Sequence, residues 1–486
     1  MSRPAKSRQH RVVLLADLLT AAPPEAPALA FGGQTWTFGE LADDVARVAT
    51  LVASRTASGD RVALVGRNRP AFVSALYGIP RAGRVAVPLN QRLAPAELEA
   101  QVDRVGATLV IGDLPGAVPW AEWEAEVAAS APDPDLPGPA PEDPAWILFT
   151  SGTTGSPKGA VLTQTSLLAA VEGANAARPV ADDDVYLFCF PLCHVAAYNV
   201  ACLHARGRPV VLLEGFTVDD LPRAVARHGV TTLSLAPTML AMLLDDPGFD
   251  FAAFASLRQV AYGASAMAPD LLRRGTETLG VGFAQGYGMT ELSGNAVFLD
   301  EAGHRSALTD RPHLLRAAGR PSPLAEVRLA EGGEILVRGP QVMAGYWDEP
   351  EATAATIVDG WLHTGDLGEI DDEGYLYVVD RAKDIVVTGG ENVSSREVED
   401  ILSTHPAVGQ VAVVGVPDER WGEAVCAVVV PRNGASVTLE DLVDHTRGVL
   451  GGFKQPRRLV LVDELPTNAS GKVLKRDLRA QVAAAI

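Results

Sequence analysis

Short apolar runs alternate with helical periodicity through the first third of the chain, and that alternation leaves few folds open. Leu41, Val45, Val48, Ala49 and Val52 recur at helical spacing and fall on one face. The run Val62-Ala63-Leu64-Val65, ended by Gly66, is too short for a helix and long enough for a buried strand. A helix over 69–77, a strand at 85–87, a helix at 97–105 and a strand at 108–111 follow. Strand–helix repeats of this kind predict a parallel sheet covered by helices. With 486 residues, 47% of them hydrophobic, the chain can bury a large core and should divide into more than one domain.

A proline-rich connector, residues 131–144, interrupts the alternation. Strands resume at 185–190, 209–213, 231–235, 259–262 and 282–285, with helices at 218–228 and 237–244. From 316 to 380 short strands and turns predict a β-rich subdomain. After Asp380 a smaller α+β unit is expected, with strands at 385–387, 411–414 and 424–430 and helices at 395–402 and 439–450. The expected fold is therefore α/β: a large N-terminal domain of helix-covered mixed and parallel sheets, 1–380, and a small α+β C-terminal domain, 381–486.

The formal net charge of -19 disfavours a nucleic-acid binder, which would present a basic face. Cys189, Cys193, Cys202 and Cys426 show no metal-like spacing and read as reduced, buried thiols of a cytoplasmic protein. The basic start leads into Val12-Val13-Leu14-Leu15, which Asp17 interrupts; it reads as a helix of the mature protein rather than a signal peptide. No run approaches the length of a membrane span.

The connector delivers the chain to Thr150-Ser151-Gly152-Thr153-Thr154-Gly155-Ser156-Pro157-Lys158-Gly159-Ala160. Its glycines let successive N–H groups face one way, and its hydroxyls and lysine add donors, so it reads as a polyphosphate nest or as a plain surface loop. It is not a Walker A loop, because Ser156-Pro157 intervene and a strand follows. Further clusters stand beyond it. Gln285-Gly286-Tyr287-Gly288-Met289-Thr290-Glu291 offers a stacking face and a carboxylate of the kind that holds Mg²⁺, or is a strand-ending turn. Tyr262-Gly263-Ala264-Ser265 is a strand-to-helix turn with little bulk. Trp361–Gly368 places Asp366 in a glycine-flanked turn, where it could accept both hydroxyls of a ribose or make an Asx-turn. Asp380–Asp384 is either a salt-bridged linker or a hinge that touches ligand. His194 ends a strand, and a Cys193/His194 nucleophilic pair is rejected because adjacent residues on an extended chain point to opposite faces.

Taken in order, TSGTTGSPKGA, GYGMTE, WLHTGDLG, DRAKDIVVTGGEN and NASGKVLK resemble the acyl-adenylate-forming superfamily of acyl-CoA synthetases, adenylation domains and luciferases. The resemblance runs from about Val87 to Lys475. Gly389–Ser395 with Glu397-Val398-Glu399 is most similar to the fatty- and aryl-acyl-CoA ligase branch. It implies that a carboxylate attacks the α-phosphate of MgATP, that acyl-AMP forms as pyrophosphate leaves, and that coenzyme A (CoA) then takes the acyl group.

By matching motifs, the resemblance places Thr150, Ser151, Gly152, Thr153, Thr154 and Lys158 on the β- and γ-phosphates, Thr290 on the α-phosphate, and Glu291 with Thr153 on Mg²⁺. Gly263, Ala264, Ser265, Gly286 and Tyr287 would bind adenine, and Asp366 and Arg381 the ribose. Lys472 would bridge the carboxylate and α-phosphate. Lys383 matches the hinge about which a mobile C-terminal domain turns, Gly389 and Gly390 the pantetheine path, and His194 the gate of the acyl pocket. Val195 stands where amino-acid-activating members carry an aspartate, which argues against an α-amino acid. Ala196, Ala197, Tyr198, Ala236, Pro237, Thr238 and Tyr262 suit a fatty or aryl acid. The expected partners are a small carboxylic acid, ATP and CoA, with loading of a carrier-protein thiol as the alternative and a non-catalytic nucleotide- or acyl-binding protein as a third reading.

Overall fold

The computed structural model describes residues 14–150, 157–263, 267–389, 391–432, 434–467 and 473–485. Ser151, Gly152, Thr153, Thr154, Ala264, Ser265, Gly390 and Lys472 lie outside them. Contacts group the rest into two units. The first takes the chain up to Thr232 together with Met289–Asn295 and Gly339–Ala355; the second takes Leu233–Gly288, Ala296–Arg338 and the chain from Thr356.

The first unit carries the expected alternation. Helix Phe38–Arg55 buries Leu41, Val45, Val48, Ala49 and Val52, the stripe read from the sequence. Thr37 begins it by accepting from Glu40 N, and Glu40 returns the bond to Thr37 N, so two N–H groups that have no partner within the helix are satisfied. Strands Arg61–Val65, Val85–Leu89 and Ala107–Gly112 pair in parallel through helices Pro70–Arg81 and Pro95–Val105. Ala63, Val65, Val87, Leu89 and Ile147 form the core against one face of this sheet. Strand Pro144–Thr150 joins the parallel set at Trp146, Lys158–Thr163 returns antiparallel to it, and the short Gly345–Tyr346 closes that edge. The sheet is thus mixed, as expected.

In the second unit, strands Glu326–Leu329, Glu334–Arg338, Trp361–Ile370, Leu376–Arg381 and Ala317–Pro321 lie side by side in that order, which is the β-rich region of the sequence. Gln259–Tyr262 pairs in parallel with Gly282–Met289. Beyond 381, Val408–Asp418 and Gly422–Pro431 form a long antiparallel pair, and Arg458–Leu461 joins in parallel. Helix Ser395–Leu402 packs there through Val398 and Leu402. The helix expected over 439–450 ends at Thr446.

Two segments read as turns are strand. Gly282–Met289 continues through Gly286-Tyr287-Gly288, because backbone pairing holds glycines extended where propensity does not. Asp366 sits within Trp361–Ile370, not in a turn; Gly365, at φ +71°, absorbs the irregularity beside it. His194 does not end a strand, since Tyr186–Phe188 stops earlier; it precedes the 3₁₀ turn Val195–Ala197. Among the described residues no helix is long and apolar enough to cross a membrane.

Candidate active site

Thr150 and Lys158 face each other across the last pair of their two strands. Thr150 Oγ1 donates to Lys158 O at 3.4 Å. The Lys158 ammonium stands 5.0 Å over the Tyr346 ring. Tyr346 reaches that place because its strand pairs with Ala160, and its hydroxyl donates to Glu291 Oε1 at 2.9 Å. Met343 N donates to Glu291 O at 2.9 Å. The first unit therefore brings the Thr150–Lys158 pair and Glu291 together around one aromatic ring. Thr290 and Glu291 open a single 3₁₀ turn, Thr290–Leu292, which ends at Ser293 in the left-handed region at φ +54°.

A hard carboxylate oxygen near a lysine fits Mg²⁺ if phosphate oxygens join it, since Mg²⁺ takes one or two carboxylates plus phosphate oxygens and keeps several waters. No cluster of three metal-ligating side chains occurs among the described residues. The donor set of Glu291 with phosphate oxygens requires none.

His194 lies in the same unit. Its Nε2 is buried with no hydrogen-bond partner among the described residues. Burial, and then the charge of Arg92, lower its pKa to about 4, so the ring is neutral near pH 7. Burial pushes the neighbouring Cys193 thiol up to about 12, which leaves it unreactive.

The second unit assembles another group. Asp366 is buried, and its carboxylate is held from two sides. Tyr287 donates to Oδ2 at 2.8 Å, and Arg381 Nε lies 3.1 Å from Oδ1. Strand register explains the second contact, since Asp366 and Arg381 are cross-strand partners. Burial first, and then the Asp366 charge, hold the Tyr287 phenol well above the usual range, so it stays a donor. A Cβ at Gly263 would sit 2.9 Å from Gly286 O, so these two backbones approach closely enough to form a thin wall.

Gly389 belongs with neither group. It turns at φ +63°, and its N–H donates to Trp421 O at 2.8 Å. A Cβ there would meet the Trp421 ring at 3.0 Å. Lys383 is exposed in the short turn Ala382–Asp384, and its carbonyl accepts from Arg479 at 3.2 Å. The adjoining charges of 380–384 are partly structural: Asp384 pairs with Arg479 at 2.8 Å, and Asp380 accepts from Ser395 Oγ at 2.8 Å.

The motif reading missed the segment Gly339–Trp347. Tyr346 is one of its residues; Trp347, whose N–H donates to Gly159 O at 2.7 Å, is another. The only sequence signal was an aromatic pair, Tyr346-Trp347, directly after Gly345.

Two family models match the chain: AMP-binding enzyme over residues 19–347, and AMP-binding enzyme C-terminal domain over 397–472. A feruloyl-CoA synthase of Amycolatopsis sp. is 38% identical over 94% of this chain and 96% of its own. The fatty acid–[acyl-carrier-protein] ligase ScoC of Streptomyces coeruleorubidus is 35% identical over 94% of this chain and 93% of its own. Among solved structures, the o-succinylbenzoate CoA synthetase of Bacillus subtilis in complex with its acyl-adenylate superposes with a TM-score of 0.83. It is 31% identical and covers 96% of this chain and 97% of its own.

Proposed function

Since the chain belongs to the AMP-binding enzyme family, we propose that it activates a carboxylic acid with ATP and passes the acyl group to CoA. The acid's carboxylate attacks the α-phosphate, the bond to the β-phosphate breaks, and acyl-AMP and pyrophosphate form. The thiolate of CoA then attacks the acyl carbonyl and AMP leaves. No protein nucleophile is required; the chemistry needs in-line positioning and charge neutralisation.

The observation that carries this reading is the buried Asp366 carboxylate held by Tyr287 and Arg381. A fixed carboxylate can accept both hydroxyls of a ribose, and Tyr287 offers a ring beside it. Lys158 and the 151–156 loop take the β- and γ-phosphates, with Thr150 at the loop's base. Thr290 takes the α-phosphate. Glu291, with Thr153, is assigned to Mg²⁺, which when bound neutralises phosphate charge. Gly263, Ala264, Ser265 and Gly286 accommodate adenine. Lys472 bridges carboxylate and α-phosphate, a role suited to a compact point charge. Residues 1–380 form the adenylation body, and 381–486 turn about Lys383, with Gly389 and Gly390 on the pantetheine path. His194, neutral and with a ring nitrogen that has no partner among the described residues, gates the acyl pocket.

Buried Ala197 and Tyr198 and the absence of an acidic residue at Val195 support an uncharged aryl or fatty acid. The four free, buried cysteines suit a reducing, cytoplasmic setting. A second acceptor is favoured by one observation: a relative of nearly equal similarity is named for loading an acyl-carrier protein. A panel of aryl and fatty acids scored by pyrophosphate release, with CoA or with a carrier protein, tests the proposal. Release that requires an acid and accelerates with CoA is the expected result. Acceleration by the carrier protein alone selects the second acceptor. ATP–pyrophosphate exchange at background with every acid overturns the assignment.

A further inference from the structure

The turn that carries Thr290 and Glu291 has a problem of its own. Strand Gly282–Met289 ends, one 3₁₀ turn follows, and strand Gly294–Leu299 begins, all within a few residues. Ser293 takes a left-handed conformation, which is strained for a residue other than glycine. Ser293 is fully buried. Its own N–H closes the turn onto Thr290 O, and its hydroxyl meets Ser166 Oγ at 2.9 Å. A strained, buried turn of this size persists only if its surroundings fix it.

Gln341 does part of that fixing. It is wholly buried, and its amide nitrogen donates to Leu292 O at 3.0 Å and to Asn295 O at 3.2 Å. Those carbonyls lie on either side of Ser293-Gly294. A primary amide carries two N–H donors on one nitrogen, so one side chain can satisfy both carbonyls. No neutral side chain other than glutamine or asparagine offers such an NH₂ group. The other end of the amide, Oε1, is buried with no hydrogen-bond partner among the described residues. The side chain is thus placed to serve the turn at the cost of its own acceptor.

We propose that Gln341 is a positioning residue for the adenylation step, setting the direction of Thr290 and Glu291 by clamping the carbonyls beyond them. It touches neither ATP nor acid. The inference rests on the reading that Thr290 and Glu291 face the α-phosphate and Mg²⁺.

The test compares Gln341→Met, which keeps length and removes both donors, with Gln341→Asn, which keeps the NH₂ group but draws it back by one methylene. Glu291→Gln serves as the reference for the underlying reading. A misdirected turn should lower kcat for ATP–pyrophosphate exchange by about 10²-fold in Gln341→Met. The half-saturating Mg²⁺ concentration should rise about tenfold, and KM for the acid should stay within about twofold. Gln341→Asn should fall between Met and the native residue. A merely structural role would lower the melting temperature and the fraction of active enzyme, but leave kcat per active site and the Mg²⁺ dependence unchanged. That result, in whichever variant folds, overturns the inference. If Glu291→Gln also keeps native exchange and Mg²⁺ dependence, the assignment of Glu291 fails as well. If Glu291→Gln is impaired while both Gln341 variants behave as native, the inference about Gln341 alone fails.

Discussion

Tyr346 shows what a single side chain does in the group around Lys158 and Glu291, which we propose faces the phosphates. Its ring lies under the Lys158 ammonium, and its hydroxyl donates to one oxygen of Glu291. Tyr346→Phe separates these roles, because the ring under Lys158 remains while the bond to Glu291 is lost. Partners of this kind orient a metal-binding carboxylate, and their loss commonly costs 10-fold or more in metal affinity. The half-saturating Mg²⁺ concentration for exchange should therefore rise about tenfold in Tyr346→Phe, with the melting temperature little changed. A native Mg²⁺ titration in the variant would mean that the Tyr346 bond does not orient Glu291 for the metal. Tyr346 was illegible in the sequence for a physical reason. Its strand is two residues long, and its position depends on pairing with Ala160. Asp366 and Arg381 were legible as motif members, but the contact that joins them is a matter of register, which a motif does not state.

Among the elements, those with a clean hydrophobic period were read correctly. The helix over Phe38–Arg55 and the strands Arg61–Val65 and Gln259–Tyr262 declare themselves by period or by apolar run. Segments rich in glycine misled, since Gly286 and Gly365 resemble turn residues while the sheet keeps them extended or slightly bulged. The junction after Arg381 is an element whose sequence left two readings open, linker or hinge. It is clasped on both sides of Lys383. Before it, Asp380 accepts from Ser394, Ser395 and Arg396 N. After it, Arg479 holds the Lys383 carbonyl and Asp384. These bonds are polar and exchangeable, as suits a joint that turns. Lys383→Pro fixes φ near −65° and removes an N–H without touching the proposed phosphate contacts. Measured separately, conversion of supplied acyl-AMP to acyl-CoA should fall at least about tenfold more than acyl-AMP formation. Equal losses in both half-reactions would make the segment a plain linker.

At the scale of the whole molecule, the buried histidines couple stability to pH. His204 makes one bond as donor and one as acceptor, the pattern of a neutral imidazole, and His304 is as deeply buried. His204 Nε2 lies 3.2 Å from Ala28 O and Nδ1 2.9 Å from the Tyr77 hydroxyl. His304 Nδ1 lies 2.8 Å from Asp300 O and Nε2 2.9 Å from the Tyr262 hydroxyl. A carbonyl can only accept, so it selects which nitrogen carries the proton; at His204 the Tyr77 hydroxyl donates to the other, while the single proton of the Tyr262 hydroxyl beside His304 goes to Gln285 Oε1 at 2.9 Å. Burial lowers both pKa values from 6.5 to about 4. The unfolded chain thus binds protons on these residues at a pH where the folded chain does not. Their contribution to stability is present in full above about pH 6.5 and is lost as pH falls toward 4. At pH 5 each should remove about 2 kcal/mol. Buried carboxyls raised by desolvation, such as Glu399 and Asp400, act in the opposite direction, so the total acid sensitivity is a sum of opposing parts. A difference experiment isolates one part. His304→Gln keeps a donor and an acceptor but cannot titrate, and urea unfolding at pH 7.5 and pH 5 would be compared with the native chain. The loss of stability between the two pH values should be smaller by about 2 kcal/mol in the variant. An unchanged loss would mean that His304 is already protonated in the folded state.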